Sequence, residues 1–559
     1  MSSNRGARRL RILVAMLAGI AALIVAGCGG SSSGGDGSTS AGSKAPTGGT
    51  DAPTITAAAK TCPRTGGTLV VGLEEEPTTL FTLSAETTAG TAALAHMIFS
   101  NLVDLDNRGD PVPSLADSWT VSPDGKTYTF KLNPDATWHD GQPVTSADVA
   151  FTMSQLSSQN PTVFAVIGSV ATPDPHTAVF KLKKPFPGLL VALANPDDNT
   201  MIVPKHLVEG KNLDKAPINQ APVGSGPFRF VKWNKGSDIE LERNDRYFKP
   251  GLPCLDKVLA RFTPDPASRK AALESGEVNF LYSYQVPLED LDRYSGDPSY
   301  QVIHGGLGVG TSDFIVFNLR NQYLRDTRVR QAIAYALDRD RLADIAFYGQ
   351  APVAHSVINS SVTKFYTGRY DVYDYNTQKA ESLLDAAGFR AGSDGKRFTV
   401  KLRIRTDRAF EVRIASVVKS QLAKVGIDVE IQPGDAVSTY TSIYTDFDFD
   451  MAVQLRTTGP DPATKLSLLF TRAGVGTLAA NGGHYYNPEL EKLIPEAGTE
   501  TDEQKSVADW DRVQQITMRD LPWLPLAEFP NVQLATAGFG DLIVEPLGYL
   551  GTFEHAYQK

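Results

Sequence analysis

The stretch from about residue 377 to 432 does most to limit what this chain can fold into. Thr377 can cap a helix whose apolar residues Ala380, Leu383, Leu384 and Ala387 recur at three- and four-residue spacing, and Gly388 can end it. Val400, Leu402 and Ile404 then alternate with Lys401, Arg403 and Arg405, the period of a half-buried strand. A helix around Val412 to Val425 stops at Gly426, and Ile427, Val429 and Ile431 give a returning strand. Strand, helix and returning strand imply a locally parallel sheet, because a helical crossover is the usual link between parallel neighbours. The fold class expected is therefore mixed α/β. A further helix is predicted from about Thr327 to Phe347, with Val329, Ala332, Ile333, Ala336 and Leu337 on its apolar face and its Arg and Asp residues on a solvated one.

The start of the chain obeys different rules. Arg5, Arg8, Arg9 and Arg11 precede an apolar run from Ile12 to Ala26 that is short for a membrane span of about 20 residues. It reads as a signal peptide, residues 1–27. The run ends in Val25-Ala26-Gly27-Cys28, which resembles the lipobox of bacterial lipoproteins, so Cys28 is the expected lipidation site and the protein is expected outside the cytoplasm, anchored to the cell membrane. Residues 28–63 are dominated by Gly, Ser, Thr, Ala and Pro and offer little apolar surface to offset ordering entropy, so they are expected to form a flexible tether.

About 500 residues of ordinary globular composition remain, more than one core usually holds, so at least two lobes are expected. The formal charge of the whole chain is -9, and the leader carries four arginines. Such an acidic body lacks the basic face that nucleic acid requires. Of three cysteines, Cys62 and Cys254 are left in an oxidising compartment, which suggests one disulfide. Two separate buried thiols are the alternative.

Catalytic patterns are few and badly placed. Gly30-Ser31-Ser32-Ser33-Gly34 fits a nucleophile-elbow pattern but lies in the tether, and Ser416-Val417-Val418-Lys419 lies inside an amphipathic helix. Neither supports an enzyme. The eight histidines are scattered without ligand spacing, so no metal site or cofactor is expected; His484 is the one to examine.

Several segments resemble the family 5 solute-binding proteins, the dipeptide, oligopeptide and nickel-binding group of ABC importers. They run in family order: SLADSWTVSPDGKTYTFKLNPDATWHDGQPVTSADVAFTM from Ser114, PVGSGPFRFVKW from Pro222, LERNDRYFKPGLPCLDKV from Leu241, FNLRNQYLRDTRVRQAIAYALDRDRL from Phe317 and LPWLPL from Leu521. The resemblance implies a two-lobe fold like that of periplasmic binding proteins, class II-type and cluster C, with an extra subdomain in lobe I. Lobe I would take residues 64–108, 222–311 and 521–559, its inserted subdomain 109–221, and lobe II 312–520. Gly224 and Gly226 would supply turn geometry before Pro227.

By the same resemblance, the chain would capture a peptide between two closing lobes, act as a monomer and deliver its cargo to ABC permease subunits. A sugar, a metal chelate, haem or a cell-envelope regulatory role without transport is the alternative. A peptide taken out of water needs hydrogen bonds and one negative charge returned to it. Thr457-Thr458-Gly459-Pro460-Asp461-Pro462 resembles the family's ammonium-binding loop, which implies Thr458, Gly459 and above all Asp461 as ligand residues. Leu455-Arg456-Thr457 stands where peptide-binding relatives often carry an aromatic residue, and Arg456 can meet a carboxylate or remain solvated. Glu75 and Glu76 follow the first strand, where the family's cleft is lined, and Tyr486 is a further candidate beside Tyr485 and Asn487.

Overall fold

The computed structural model describes residues 61–559 apart from 85–86, 107–108, 160, 196–198, 306–309, 460, 478 and 544–550. The signal peptide, Cys28 and nearly all of the tether lie outside the described residues.

Three sheets organise the body. A seven-stranded sheet has the order Tyr300–His304, Val532–Thr536, Phe280–Leu281, Thr68–Leu73, Lys257–Phe262, Asp238–Arg243, Phe228–Asn234. The chain segment between its first two long strands folds into a four-stranded antiparallel sheet, Ala116–Val121, Thr127–Leu132, Thr177–Leu182, Ile167–Asp174. Together they form the first lobe, and one continuous core that includes Leu69, Val71, Phe99, Phe130, Trp138 and Phe180 joins them.

The second lobe is built on five strands ordered Ile427–Gly434, Phe398–Arg405, Met451–Thr457, Thr311–Phe317, Trp523–Glu528. Phe398–Arg405 and Ile427–Gly434 run parallel with Val400 opposite Val429, and the helix Ala409–Ala423 connects them. Side-chain alternation gives this sheet a core on each face. Ile315, Val453 and Leu524 pack with Ile414 and Leu422 on one side. Phe314, Val316, Ala452 and Trp523 pack with Trp510 and Phe470 on the other.

Some expectations need correction. The segment LPWLPL does not return the chain to the first lobe: Trp523–Glu528 pairs with Thr311–Phe317 and completes the second-lobe sheet, and the return comes at Val532–Thr536. The expected long helix is two, Thr327–Ala336 and Arg339–Phe347. Leu337 is extended, and the Asp338 side chain accepts the Arg341 amide at 3.0 Å and starts the second helix. The polar residues of this region are not all solvated. Arg330 is buried, its guanidinium capping carbonyls of Leu324, Asp520 and Leu521, and Arg339 is buried against Asp371 at 2.7 Å. The cap of the helix Thr377–Ala386 is Asn376, one residue earlier than expected. Gly224 and Gly226 serve close approach rather than turn geometry, since a Cβ at either would run into the carbonyl end of the helix Ala89–Ile98.

Cys62 and Cys254 form a disulfide, with Cα atoms 5.4 Å apart.

Candidate functional site

The two lobes are joined by a pair of crossovers that run side by side. One leads from Tyr300–His304 to Thr311–Phe317, and the other from Trp523–Glu528 to Val532–Thr536; the strands on either side pair with each other in both sheets. The Gly305 amide donates to the Asn531 carbonyl at 2.7 Å and the Phe529 amide to the Thr311 carbonyl at 3.0 Å. Beside this junction lies a pocket of about 240 Å³ with walls from both lobes: Tyr284, His304 and Asn531 from the first, and Asn359, Ser360 and Glu528 from the second.

Strand pairing decides what faces the junction. Ser312 stands between Glu528 and Arg456 across the sheet. Glu528 is buried and accepts the Ser360 amide at 2.8 Å and the Ser360 hydroxyl at 2.5 Å; burial pushes its carboxyl up, and these hydrogen bonds temper the effect. Asn359 donates to the Thr311 carbonyl at 3.1 Å and to Ser312 Oγ at 2.9 Å. The Phe529 ring meets Tyr284, with centroids 4.9 Å apart.

Thr458, Gly459 and Asp461 sit in the loop that follows the central strand Met451–Thr457 at the same end of this sheet. Thr458 is buried, and both its amide and its hydroxyl donate to the Gly310 carbonyl, at 2.9 and 3.0 Å, so the loop is tied to the first crossover. Gly459 takes φ +76°, which favours glycine. Asp461 accepts the Ala463 amide at 2.8 Å and thereby caps the short helix Pro462–Thr464. Its other oxygen faces the inserted subdomain of the first lobe, so close that a Cβ at Gly188 would lie 2.6 Å away. Burial raises the Asp461 carboxyl, with Lys364 opposing the rise.

Glu75, Glu76 and Tyr486 each have partners within the protein. Glu75 accepts the Gly90 amide at 3.2 Å in the first turn of Ala89–Ile98. Glu76 holds the hairpin between Phe228–Asn234 and Asp238–Arg243, accepting Trp233 Nε1 at 2.8 Å and the Gly236 amide at 3.0 Å. Tyr486 is 48 % exposed with the Arg472 guanidinium 3.6 Å from its ring centre. None of the six predicted ligand residues lines the pocket at the crossovers. His484 packs on Phe447, and burial lowers its pKa. Among the described residues no three His, Cys, Asp or Glu side chains gather as a metal site.

The sequence reading left Arg456 either to meet a carboxylate or to remain solvated, and it passed over Asp313; the structure rules out the solvated alternative. Arg456 is buried and donates to three neutral oxygens, Tyr444 Oη, Gln454 Oε1 and the Leu455 carbonyl. Burial alone would raise the neighbouring Tyr440 phenol, but Arg456, Arg408 and Arg405 bring it below its ordinary value. Asp313 is fully buried, and neither carboxylate oxygen has a hydrogen-bond partner among the described residues. Its carboxyl is pushed well up, by burial first and the nearby Glu411 second. An acid in the otherwise apolar run Phe314-Ile315-Val316-Phe317 was the available signal.

The lobes, the paired crossovers and the pocket between them are the frame of a solute-binding protein. Residues 110–477 match the family described as bacterial extracellular solute-binding proteins, family 5 middle. The chain belongs to this family. A relative in Brucella ovis, named as an ABC transporter peptide-binding protein, is 32% identical over 440 residues, 76% of this chain and 80% of its own length. The structure of the oligopeptide-binding protein AppA from Bacillus subtilis, in complex with a nonapeptide, superposes with a TM-score of 0.75 and 27% identity, covering 89% of this chain and 100% of AppA. AgaA of A. tumefaciens R10, in complex with agropinic acid, gives 0.74 and 28% over 88% of this chain and 99% of AgaA. The family 5 fold is thus shared with proteins of differing ligands. No helix among the described residues is long and apolar enough to cross a membrane.

Proposed function

We propose that this chain is the solute-capturing component of an ABC importer, anchored through lipid on Cys28, and that it encloses a peptide or a closely similar solute between its lobes. The observation that carries the reading is the pocket walled by both lobes at the paired crossovers. Such a site is completed only when the lobes meet, as capture by domain closure requires. The likeness to relatives named for peptide binding supports the choice of ligand.

In this reading Asp461 receives the ligand's ammonium. A carboxylate whose ionised form burial disfavours gains most from a cation. Arg456, whose hydrogen bonds go to neutral oxygens, is the matching candidate for the ligand's carboxylate. Calorimetric titration with trialanine tests both function and site. Wild type is expected to bind, and Asp461→Asn, which keeps the helix cap but removes the charge, is expected to lose about 3–5 kcal/mol of binding free energy. Equal affinity in the variant would remove Asp461 from the site; no binding of trialanine or longer peptides by wild type would overturn the peptide reading.

A further inference from the structure

We infer that the pocket at the crossovers is a subsite for a cationic group, a primary ammonium or a guanidinium, with Glu528 as its counter-charge. At about 240 Å³ the pocket falls below the roughly 300–1,000 Å³ that encloses a whole ligand, so it suits one end of a solute or one side chain. Its described lining contains a single carboxylate, Glu528, and neither lysine nor arginine.

Three features give the pocket its preference. Glu528 is buried at the end of Trp523–Glu528, where the Ser360 hydrogen bonds and the charge of His355 oppose the effect of burial. A buried carboxylate whose direct hydrogen bonds come from a neutral serine, with only the charge of His355 to help, remains costly, and a cationic ligand offsets that cost. The Ser360 amide and hydroxyl fix the direction of the carboxylate, so the site is organised before a ligand arrives. Finally, Tyr284 and Phe529 are paired at the rim, with Tyr284 42 % exposed, and an aromatic face attracts a cation more than its neutral isostere. Asn359 and Ser361 add polar groups on the second-lobe side. A lysine or arginine side chain, or a small amine, matches this chemistry.

Glu528 and Asp461 are distinct positions. Asp461 lies against Gly188 of the inserted subdomain, whereas Glu528 lies where the chain crosses between lobes. The inference draws on the proposed function only for the identity of the natural solute, so its test uses a small probe.

The test is titration of the full chain with n-butylammonium and with 1-butanol, which differ mainly in charge. Wild type is expected to prefer the amine by about tenfold or more, the range of a hydrogen bond to a charged group. Glu528→Gln is expected to abolish the preference while alcohol binding stays the same. Tyr284→Leu, at a half-exposed ring whose loss leaves the core intact, is expected to weaken amine binding a few-fold and spare the alcohol. Equal binding of amine and alcohol by wild type overturns the inference, as does an amine preference that survives Glu528→Gln. A protein that takes the amine but ignores every peptide would retain this subsite and lose the peptide reading.

Discussion

His139 shows how a single residue couples the fold to pH. Its Nε2 donates to the Gly226 carbonyl at 3.1 Å while Nδ1 accepts the Gly224 amide at 3.2 Å, an arrangement that needs a neutral ring. Burial pushes its pKa down to about 4, from an ordinary 6.5. The folded state therefore binds this proton less readily than the unfolded chain. The stability it supports is present above about pH 6.5 and is lost as pH falls through 4, by a total on the order of 3 kcal/mol. Denaturant unfolding at several pH values is expected to show this slope in wild type and a flatter one in His139→Gln; parallel slopes would contradict it. At this scale the sequence reads unevenly. Asp461 and Thr458 stand out because turn residues and prolines surround them. Glu528 does not, because its partner Ser360 is 168 residues away, and Arg456 gains its surroundings from Tyr440 and Tyr444 on a separate helix.

Elements were legible where local pattern suffices. The alternation at 400–404, the stop at Gly388 with φ +94° and the parallel return at 427–431 are all written in short windows of sequence. Boundaries and partners were less so. The apolar periodicity of 327–347 continues across Leu337, but Asp338 offers its carboxylate to the following amides and exchanges hydrogen bonds with Gln421, which forces a new helix start. Asp338→Ala is expected to cost about 1 kcal/mol of stability, the usual worth of an N-cap, in chemical denaturation. Unchanged stability would mean that packing rather than the cap sets the break. The segment from Leu521 was read as part of the first lobe, but the sheet of Trp523–Glu528 is chosen by pairing with Thr311–Phe317, more than two hundred residues earlier in the chain, and no window of sequence contains that information.

The whole molecule was the most readable, because ordered family segments fix an architecture even where single residues remain open. What they leave unsaid is how the lobes meet. Gly188 in the inserted subdomain admits the Asp461 carboxylate, with a hypothetical Cβ only 2.6 Å from its oxygen. Gly188→Leu is expected to hold the lobes apart there, to speed ligand release and to leave the unfolding temperature of the empty protein nearly unchanged. A release rate equal to wild type would show that this contact does not secure the closed form. The most direct test of solute capture is native mass spectrometry of the gently purified protein, first as isolated and then offered a mixed peptide library. One peptide held per chain, with ranked lengths, is the predicted result; a protein that stays empty in the library and carries another solute, or none, would contradict it.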